Sequence, residues 1–252
     1  MEPLVCIKRV PNTGARAVLT EDNQSIDTSN LGYTLSPHEE CGIEEAVQLV
    51  EEHGGESTAL TLGPPGADEQ LQTAIAMGVD EAVRLDSEES DMRPSRVADA
   101  IATAIEEREA DYDVLIFGNE AADSQNYQVG VRVADALGLP CVTGIKELSV
   151  EDGTAVAERE IPGGAERYEL DLPAVITVKE GLNEPRYPSM RARMQASKTE
   201  IATVEAAGEG VEGFEKVELV VPEEEASETE ILGESPDAAP DVVEVLEELE
   251  VL

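Results

Sequence analysis

The segment from residue 114 to residue 137 constrains the fold of this chain more than any other. Four consecutive apolar residues, Val114 to Phe117, lie between Asp113 and Gly118, which is typical of a parallel strand buried on both faces. Apolar residues then recur at helical spacing, at Val129, Val133, Ala136 and Leu137. The segment is therefore predicted to form a buried strand, a polar loop and a helix.

The polar loop of this segment lies where parallel α/β sheets bind ligands, because the carboxyl ends of their strands face the ligand crevice. A helix that begins there offers free N–H groups to an anionic group such as phosphate. Asn126, Gln128 and Gly130 are therefore candidate neighbours of a phosphate. An ordinary strand–loop–helix crossover fits the pattern about equally well, because the loop contains no glycine-rich Walker sequence.

The segments before residue 144 alternate between buried strands and amphipathic helices. Strands are predicted at residues 4–7, 57–62 and 82–85. Helices are predicted to begin near Ser36, to end at Gly78, and to cover residues 94–109. This alternation predicts an α/β fold with a Rossmann-like, mostly parallel sheet flanked by helices.

A different pattern begins at Gly144. Residues 146–150, 154–160 and 167–172 are separated by turn sequences and predict an antiparallel meander. Residues 173–178 then predict one more buried strand. The α/β part of the chain thus contains a small antiparallel addition.

The composition divides the chain into an α/β domain, residues 1–200, which contains the candidate phosphate loop, and an acidic C-terminal arm, residues 201–252. Residues 222–240 are poor in large apolar side chains and predict a linker. A short amphipathic helix is predicted from Val242, Val243, Val245, Leu246 and Leu249. Because an isolated helix of about 12 residues is marginal in water, this helix is expected to dock on another surface; a solvated, frayed tail is the alternative.

The net charge is -39, from 56 acidic and 17 basic residues. The 41% of hydrophobic residues occur in clear periods, which favours a folded protein over a disordered one. Such a charge is typical of a halophilic protein, because concentrated salt shortens the range of self-repulsion. It also disfavours nucleic acid as a partner.

Three cysteines, Cys6, Cys41 and Cys141, are far apart and have no metal-ligand spacing, so neither a disulfide framework nor a metal site is predicted. His38 has no companions for a catalytic triad, and no catalytic residue is predicted. No apolar segment approaches about 18 residues and no secretory signal is present. A soluble, cytoplasmic protein without direct membrane insertion is therefore expected.

Cations are concentrated in one short part of this acidic chain. Five of the 17 fall within 20 residues, at Lys179, Arg186, Arg191, Arg193 and Lys198. This density favours protein contact or anion binding over simple solvation. The loop between these cations contains Met190, a flexible side chain suited to an adaptable apolar contact. The alternative is that Met190 packs on its own domain.

Lys8 and Arg9, after the first strand, form a second cationic site. They either attract an anion or a partner or are simply solvated.

Several stretches together resemble the β subunit of electron transfer flavoproteins, the FixA-like family. These stretches occur in the same order as in that family, and the match extends over roughly residues 4 to 200. The stretches are Lys8-Arg9-Val10-Pro11, Glu44-Glu45-Ala46-Val47, Gly63-Pro64, residues 74–80, Asp123 with Gln128 and Gly130, residues 158–166 followed by 172–177, and residues 182–187.

The resemblance implies a heterodimer with an α subunit that holds most of a redox-active FAD, while the β subunit holds AMP. In bifurcating members a second FAD takes the place of AMP. Matched position by position, the resemblance implies cofactor contacts at Cys6, Ser36, His38, Glu39, Leu62, Gly63, Asp123, Ser124, Asn126, Tyr127, Gln128, Val129 and Gly130. Thr13 and His38 match positions that approach the flavin ring.

The resemblance also implies an electron carrier rather than a classical enzyme, which accepts electrons from dehydrogenases and passes them towards a membrane quinone oxidoreductase. The matching partner-recognition loop is Tyr187, Pro188, Ser189, Met190 and Arg191. Two other classes remain: an ATP-using enzyme of the adenine-nucleotide α-hydrolase type and a stress-type nucleotide-binding module. The first needs a glycine-rich loop after the first strand, which Lys8-Arg9-Val10-Pro11 does not supply. A stress-type module would give the basic loop and the C-terminal arm no function.

Overall fold

The computed structural model describes residues 1–12, 18–87, 93–108, 110–208, 216–222, 231–233, 235–249 and 251. The described residues form twelve strands: β1 (Pro3–Cys6), β2 (Val10–Pro11), β3 (Tyr33–Thr34), β4 (Thr58–Gly63), β5 (Glu81–Asp86), β6 (Val114–Gly118), β7 (Cys141–Ile145), β8 (Glu147–Glu151), β9 (Thr154–Ile161), β10 (Gly164–Asp171), β11 (Ala174–Val178) and β12 (Ala202–Glu205). They also form six α-helices: α1 (Pro37–His53), α2 (Asp68–Met77), α3 (Pro94–Glu107), α4 (Val129–Leu137), α5 (Met190–Ala196) and α6 (Ala239–Glu248).

The central sheet has seven strands in the order β12-β5-β4-β1-β6-β11-β7. Every pair of neighbours in it is parallel. Most buried residues of the inner strands are apolar, on both faces of the sheet, and β11 is buried at all five of its positions. Parallel strands covered by helices on both faces are expected to read as continuous apolar runs. The predicted Rossmann-like α/β class is confirmed.

Helices cover both faces of the sheet. Successive strand residues point to opposite faces, so Val5 packs with α1 and α2 in one apolar cluster, whereas Leu4 packs with α3 and α4 in the other. Both residues are 0% exposed. Complete burial of a side chain of this size contributes about 1.5–3 kcal/mol. The sheet is therefore packed between two apolar clusters, one on each face.

The helix ends follow local sequence signals. α1 begins after Ser36 with a proline in its first turn, where a missing N–H costs nothing. α2 ends at Gly78, whose φ of +122° few other residues adopt. Both boundaries agree with the prediction.

The predicted antiparallel meander is formed by β8, β9 and β10. Its apolar residues, including Val150, Ala155 and Leu170, join the cluster on the α1 and α2 side of the sheet. The meander therefore packs against the main core rather than forming a separate unit.

Five of the described strands and helices were not predicted from the sequence: the edge strands β7 and β12, the short paired strands β2 and β3, and the short helix α5. β12 pairs with β5, so the sheet includes four residues of the segment that the sequence assigned to the arm. The predicted terminal helix is present as α6, with Val242, Val243 and Leu249 exposed.

Candidate functional site

The strand order of the sheet reverses between β1 and β6. From β1 the chain runs through α1 to β4 on one side, and it later returns at β6 on the other side of β1. Cys6 and Phe117 are paired near the carboxyl ends of these two strands. In open α/β sheets, ligands bind in the crevice at such a switch point. This edge of the sheet is the candidate site.

An ion pair joins the two chain segments that leave β1 and β6. Lys8 Nζ donates hydrogen bonds to Asp123 Oδ1 at 2.6 Å and Asp123 Oδ2 at 2.8 Å, and lies 3.4 Å from Ser124 Oγ. The second cation at this strand end, Arg9, stacks with its Cζ atom 3.1 Å from the centre of the Tyr33 ring. Both cations after β1 therefore have partners within the protein, and Lys8 fixes the loop after β6.

Glu39 joins the start of α1 to the segment after β1. Its Oε2 accepts hydrogen bonds from the Ser36 N–H at 2.9 Å and the Ser36 hydroxyl at 2.7 Å, while its Oε1 accepts the Lys8 N–H at 2.8 Å. Burial raises the pKa of Glu39 to about 7, against the lowering effect of these hydrogen bonds. Ser36 and Glu39 thus bond to each other and to the framework, and position their neighbours.

Gly118 allows α1 to approach the end of β6 closely. A Cβ atom on Gly118 would lie 3.1 Å from Glu39 Cγ and 3.3 Å from His38 Cβ. His38 is thereby placed beside the switch point, and its Nδ1 atom is buried without a hydrogen-bond partner within the described residues. An unpaired buried ring nitrogen is unusual in a folded protein.

The loop between β6 and α4 has an unusual backbone. Gln125 and Tyr127 have φ angles of +48° and +55°, in the left-handed region that non-glycine residues rarely adopt. Gln128 follows at φ −115° and ψ −32°. Consecutive left-handed and right-handed residues aim their N–H groups to the same side and form a concavity suited to an anion.

The first turn of α4 lies next to this concavity. The Arg132 N–H bonds to the Gln128 carbonyl at 2.9 Å, and the N–H groups before it belong to the unsatisfied start of a helix. The Gln128 side chain accepts from Arg132 Nε at 3.1 Å and makes no capping bond. Asn126 is exposed. The loop therefore presents backbone and amide donors together.

Gly130 brings α4 against the sheet. A Cβ atom there would lie 2.8 Å from Thr177 Cγ2, closer than real side chains pack. Thr177 Oγ1 donates to Asn119 Oδ1 at 2.8 Å and accepts the Gly144 N–H at 3.0 Å. Asn119 and Thr177 were not identified from the sequence. The only sequence feature that could have indicated these two residues is their position at the ends of buried strands.

The structure brings most of the sequence-predicted cofactor residues to this edge of the sheet. Cys6, Leu62 and Gly63 end β1 and β4, His38 begins α1, and residues 123–130 follow β6. Burial raises the pKa of the Cys6 thiol, so Cys6 stays neutral. The predicted contact at Thr13 lies outside the described residues.

A second surface is formed by the predicted recognition loop and α5. Tyr187 is 85% and Met190 77% exposed. Met190 begins α5 rather than lying in a loop, and Ser189 caps this helix by accepting the Ala192 N–H at 3.2 Å. Pro188 is buried beneath them. Tyr187 and Met190 are therefore exposed next to a buried proline and a capped helix.

Comparison with known proteins agrees with this geometry. The sequence profile of the electron transfer flavoprotein domain matches residues 25–209. The chain is 35% identical over 205 residues to the electron transfer flavoprotein subunit beta of Bacillus subtilis, covering 81% of this chain and 79% of that protein. The identity is 32% with the same subunit of Mus musculus, covering 89% of each chain. With that of Bos taurus it is 30%, covering 99% of this chain and 98% of the bovine one.

This chain belongs to the electron transfer flavoprotein β-subunit family. The family match extends from the segment before α1 to just beyond β12, so it includes the switch point, the meander and α5. The likeness to the bovine β subunit continues over the arm.

Among the residues that the structure describes, no helix is both long and apolar enough to cross a bilayer. The same residues contain no group of three or more His, Cys, Asp or Glu side chains arranged to hold a metal ion.

Proposed function

We propose that this chain is the β subunit of a cytoplasmic, heterodimeric electron transfer flavoprotein. It pairs with an α subunit, binds AMP, and helps to hold the FAD of the complex. The complex carries electrons from dehydrogenases towards a membrane quinone oxidoreductase. The observation that carries this proposal is the backbone of the loop at the switch point, where left-handed Tyr127 and right-handed Gln128 precede a helix start without a side-chain cap.

The residues at this concavity fit an AMP phosphate. Backbone N–H groups at the start of α4 supply partial positive charge and hydrogen bonds. The Asn126 and Gln128 amides supply further donors, and the Lys8–Asp123 pair keeps the loop in place. Gly130 keeps the helix start close to the sheet. A second FAD, which also carries a phosphate beside an adenosine, is the alternative occupant.

The FAD would lie between the subunits, with His38 and Thr13 on the β side. The flavin supplies the redox chemistry, and the protein supplies binding and orientation. His38 supports this assignment because its buried Nδ1 atom lacks a protein partner in the described residues. A polar group of a ligand would satisfy it.

The recognition loop, Tyr187 to Arg191, is proposed to bind the dehydrogenases. Met190 is an adaptable apolar side chain that is 77% exposed. The apolar face of α6 is proposed to dock on the α subunit, which would cover the exposed Val242, Val243 and Leu249. The charge of -39 supports a halophilic protein, and we expect the complex to gain stability when salt rises from about 0.2 M to 2 M.

Nucleotide extraction tests the proposal. The chain is co-expressed with its α subunit, and the nucleotides released from the purified complex are identified by chromatography and mass spectrometry. One AMP and one FAD per yellow heterodimer are expected. Two FAD per heterodimer would favour the bifurcating alternative. Stoichiometric FAD on the isolated β chain would contradict the shared flavin site, and a complex without any adenine nucleotide would contradict the proposal as a whole.

A further inference from the structure

The segment after β11 is fastened to α1, although the two are far apart in sequence. Asn183 Nδ2 donates to the Cys41 carbonyl at 3.1 Å and to Glu45 Oε2 at 2.9 Å. The next contact is made by Arg186, immediately before the recognition loop. The loop therefore starts from two points fixed on a buried helix.

Arg186 binds two carboxylates of α1 at once. Its Nε and Nη2 donate to Glu44 at 2.8 and 2.9 Å, and its Nη1 and Nη2 donate to Glu51 at 2.8 and 3.1 Å. Its backbone N–H also donates to Glu44, at 2.9 Å. Residues seven apart lie on the same helical face, two turns from each other. The planar guanidinium fits both carboxylates, which a lysine ammonium would not. We call Arg186, Glu44 and Glu51 the α1 clamp.

The α1 clamp remains charged although it is partly shielded from solvent. The Glu44 side chain is 4% exposed and that of Arg186 is 34% exposed. Burial alone would raise the pKa of Glu44, but hydrogen bonds from Arg186 and Gln48 outweigh it and hold this pKa below its usual value. Shielded pairs are screened by salt much less than surface pairs. The Arg186–Glu44 pair is therefore less screened in concentrated salt than the Arg186–Glu51 pair, whose carboxylate is 60% exposed.

The α1 clamp lies directly beside the exposed recognition surface. Tyr187 follows Arg186, and the Arg193 guanidinium stacks 4.5 Å from the centre of the Tyr187 ring. Beyond Met190 and Met194, the segment is fastened again by Ala196, which is 2% exposed. Exposed apolar side chains thus lie between two fixed ends. A segment held at both ends loses less conformational entropy when a partner binds than a free loop does.

We propose that Arg186 is a positioning residue, which through Glu44 and Glu51 holds the surface of Tyr187, Met190 and Met194 in its binding conformation before a dehydrogenase arrives. This inference rests on the proposed recognition function of that surface. The Arg186 guanidinium is already bound by Glu44 and Glu51, so its proposed role is to position the surface rather than to contact the partner. Its loss should therefore weaken partner binding without changing the chemistry.

The test uses the αβ complex with bound cofactors and a dehydrogenase that reduces the native complex. Arg186→Gln removes the guanidinium contacts with both carboxylates but keeps the backbone N–H bond to Glu44. Arg186→Lys keeps the charge, and Glu51→Gln removes only the more exposed half of the clamp. We expect Arg186→Gln to raise KM for the complex about tenfold while kcat stays within about twofold, because only pre-organisation is lost. Arg186→Lys and Glu51→Gln should fall between this variant and the native protein. Hydrogen exchange of residues 187–196 should accelerate in the same order.

Arg167→Gln is the matched control, since Arg167 pairs with Glu169 at 3.7 Å on the exposed meander, where both side chains are more than 60% exposed. It makes the same change of charge and should leave KM and exchange unaltered. Unchanged exchange of residues 187–196 in Arg186→Gln would overturn the inference. So would an unchanged KM in that variant when Met190→Ala raises KM. If Met190→Ala itself leaves KM unchanged, the recognition function fails, and the inference falls with it whatever the exchange data show.

Discussion

Helices α4 and α5 each begin just after a loop that follows a strand of the same sheet, yet their first turns differ. Ser189 accepts the Ala192 N–H at the start of α5, whereas Gln128 makes no capping bond at the start of α4. Serine is among the best helix caps. The start of α5 is thus closed by the protein itself, and the start of α4 is open to an anion.

The surroundings of the two helix starts differ in the same sense. Before α4 the exposed residues include Asn126, and the loop is fixed by Lys8 and Asp123. Around the start of α5 the exposed side chains are Tyr187 and Met190, and the loop is fixed by Arg186. One region is suited to a small charged ligand and the other to the surface of a protein. Substitutions that affect only one region test this distinction.

The largest effect is expected from Gly130→Val. Its Cβ atom would meet Thr177 Cγ2 at 2.8 Å, and overpacking of this kind costs about 1–3 kcal/mol. The start of α4 would move away from the sheet, and AMP would be lost. Thermal unfolding and the nucleotide content of the αβ complex measure both consequences. Gly164→Ala is the control, because nothing lies within 4 Å of its Cβ position. Native AMP content in Gly130→Val would refute this role of the close contact.

Met190→Ala should impair the other region alone. An interface anchor contributes at least about 2 kcal/mol, so electron transfer from the dehydrogenase should slow many-fold at subsaturating concentration. AMP and FAD contents should not change, because Met190 lies on α5 rather than at the switch point. Stopped-flow reduction at fixed salt measures the rate. Equal rates for the variant and the native complex would show that Met190 is not an anchor.

Gln128→Ala should have the reciprocal effect. A lost hydrogen bond to a charged group costs about 1.5–3 kcal/mol, which corresponds to about 10–150-fold weaker AMP retention. The far-ultraviolet spectrum should stay unchanged, since the side chain is not a helix cap. Equilibrium dialysis with labelled AMP measures retention. Undiminished retention would remove Gln128 from the site and leave the backbone donors as the whole of it.

The smallest effect concerns two buried carboxyl groups of α1: Glu39, which bonds to Lys8 at the switch point, and Glu45, which bonds to Asn183 before the recognition loop. Burial raises the pKa of both Glu39 and Glu45 to about 7. The folded state then binds more protons than the unfolded state between about pH 4.5 and 7, so both groups lower the stability as pH rises through this window. Glu45→Gln removes one titration and should flatten this decline. Denaturant unfolding at fixed salt measures the slope, and an unaltered slope would contradict the raised pKa of Glu45.

Local patterns in the sequence were sufficient for most of the fold. The apolar run at residues 114–117, the proline and serine at the start of α1, and Gly78 after α2 each act within a few residues. Their positions follow from burial, capping and backbone freedom, which neighbouring residues determine. The parallel α/β class and the meander followed from the order of such signals.

The edge strands and the pairs within the site depended on the tertiary structure. β12 is a short strand in an acidic segment, and it is recognisable as a strand only through its pairing with β5. Lys8 and Asp123 are 115 residues apart, and Arg186 and Glu44 are 142 apart. No local period encodes such partners, because the parallel strand order alone brings them together. The sequence by itself determined the buried strands, the longer helices and which residues carry charge; the fold decided the edge strands and which charges meet.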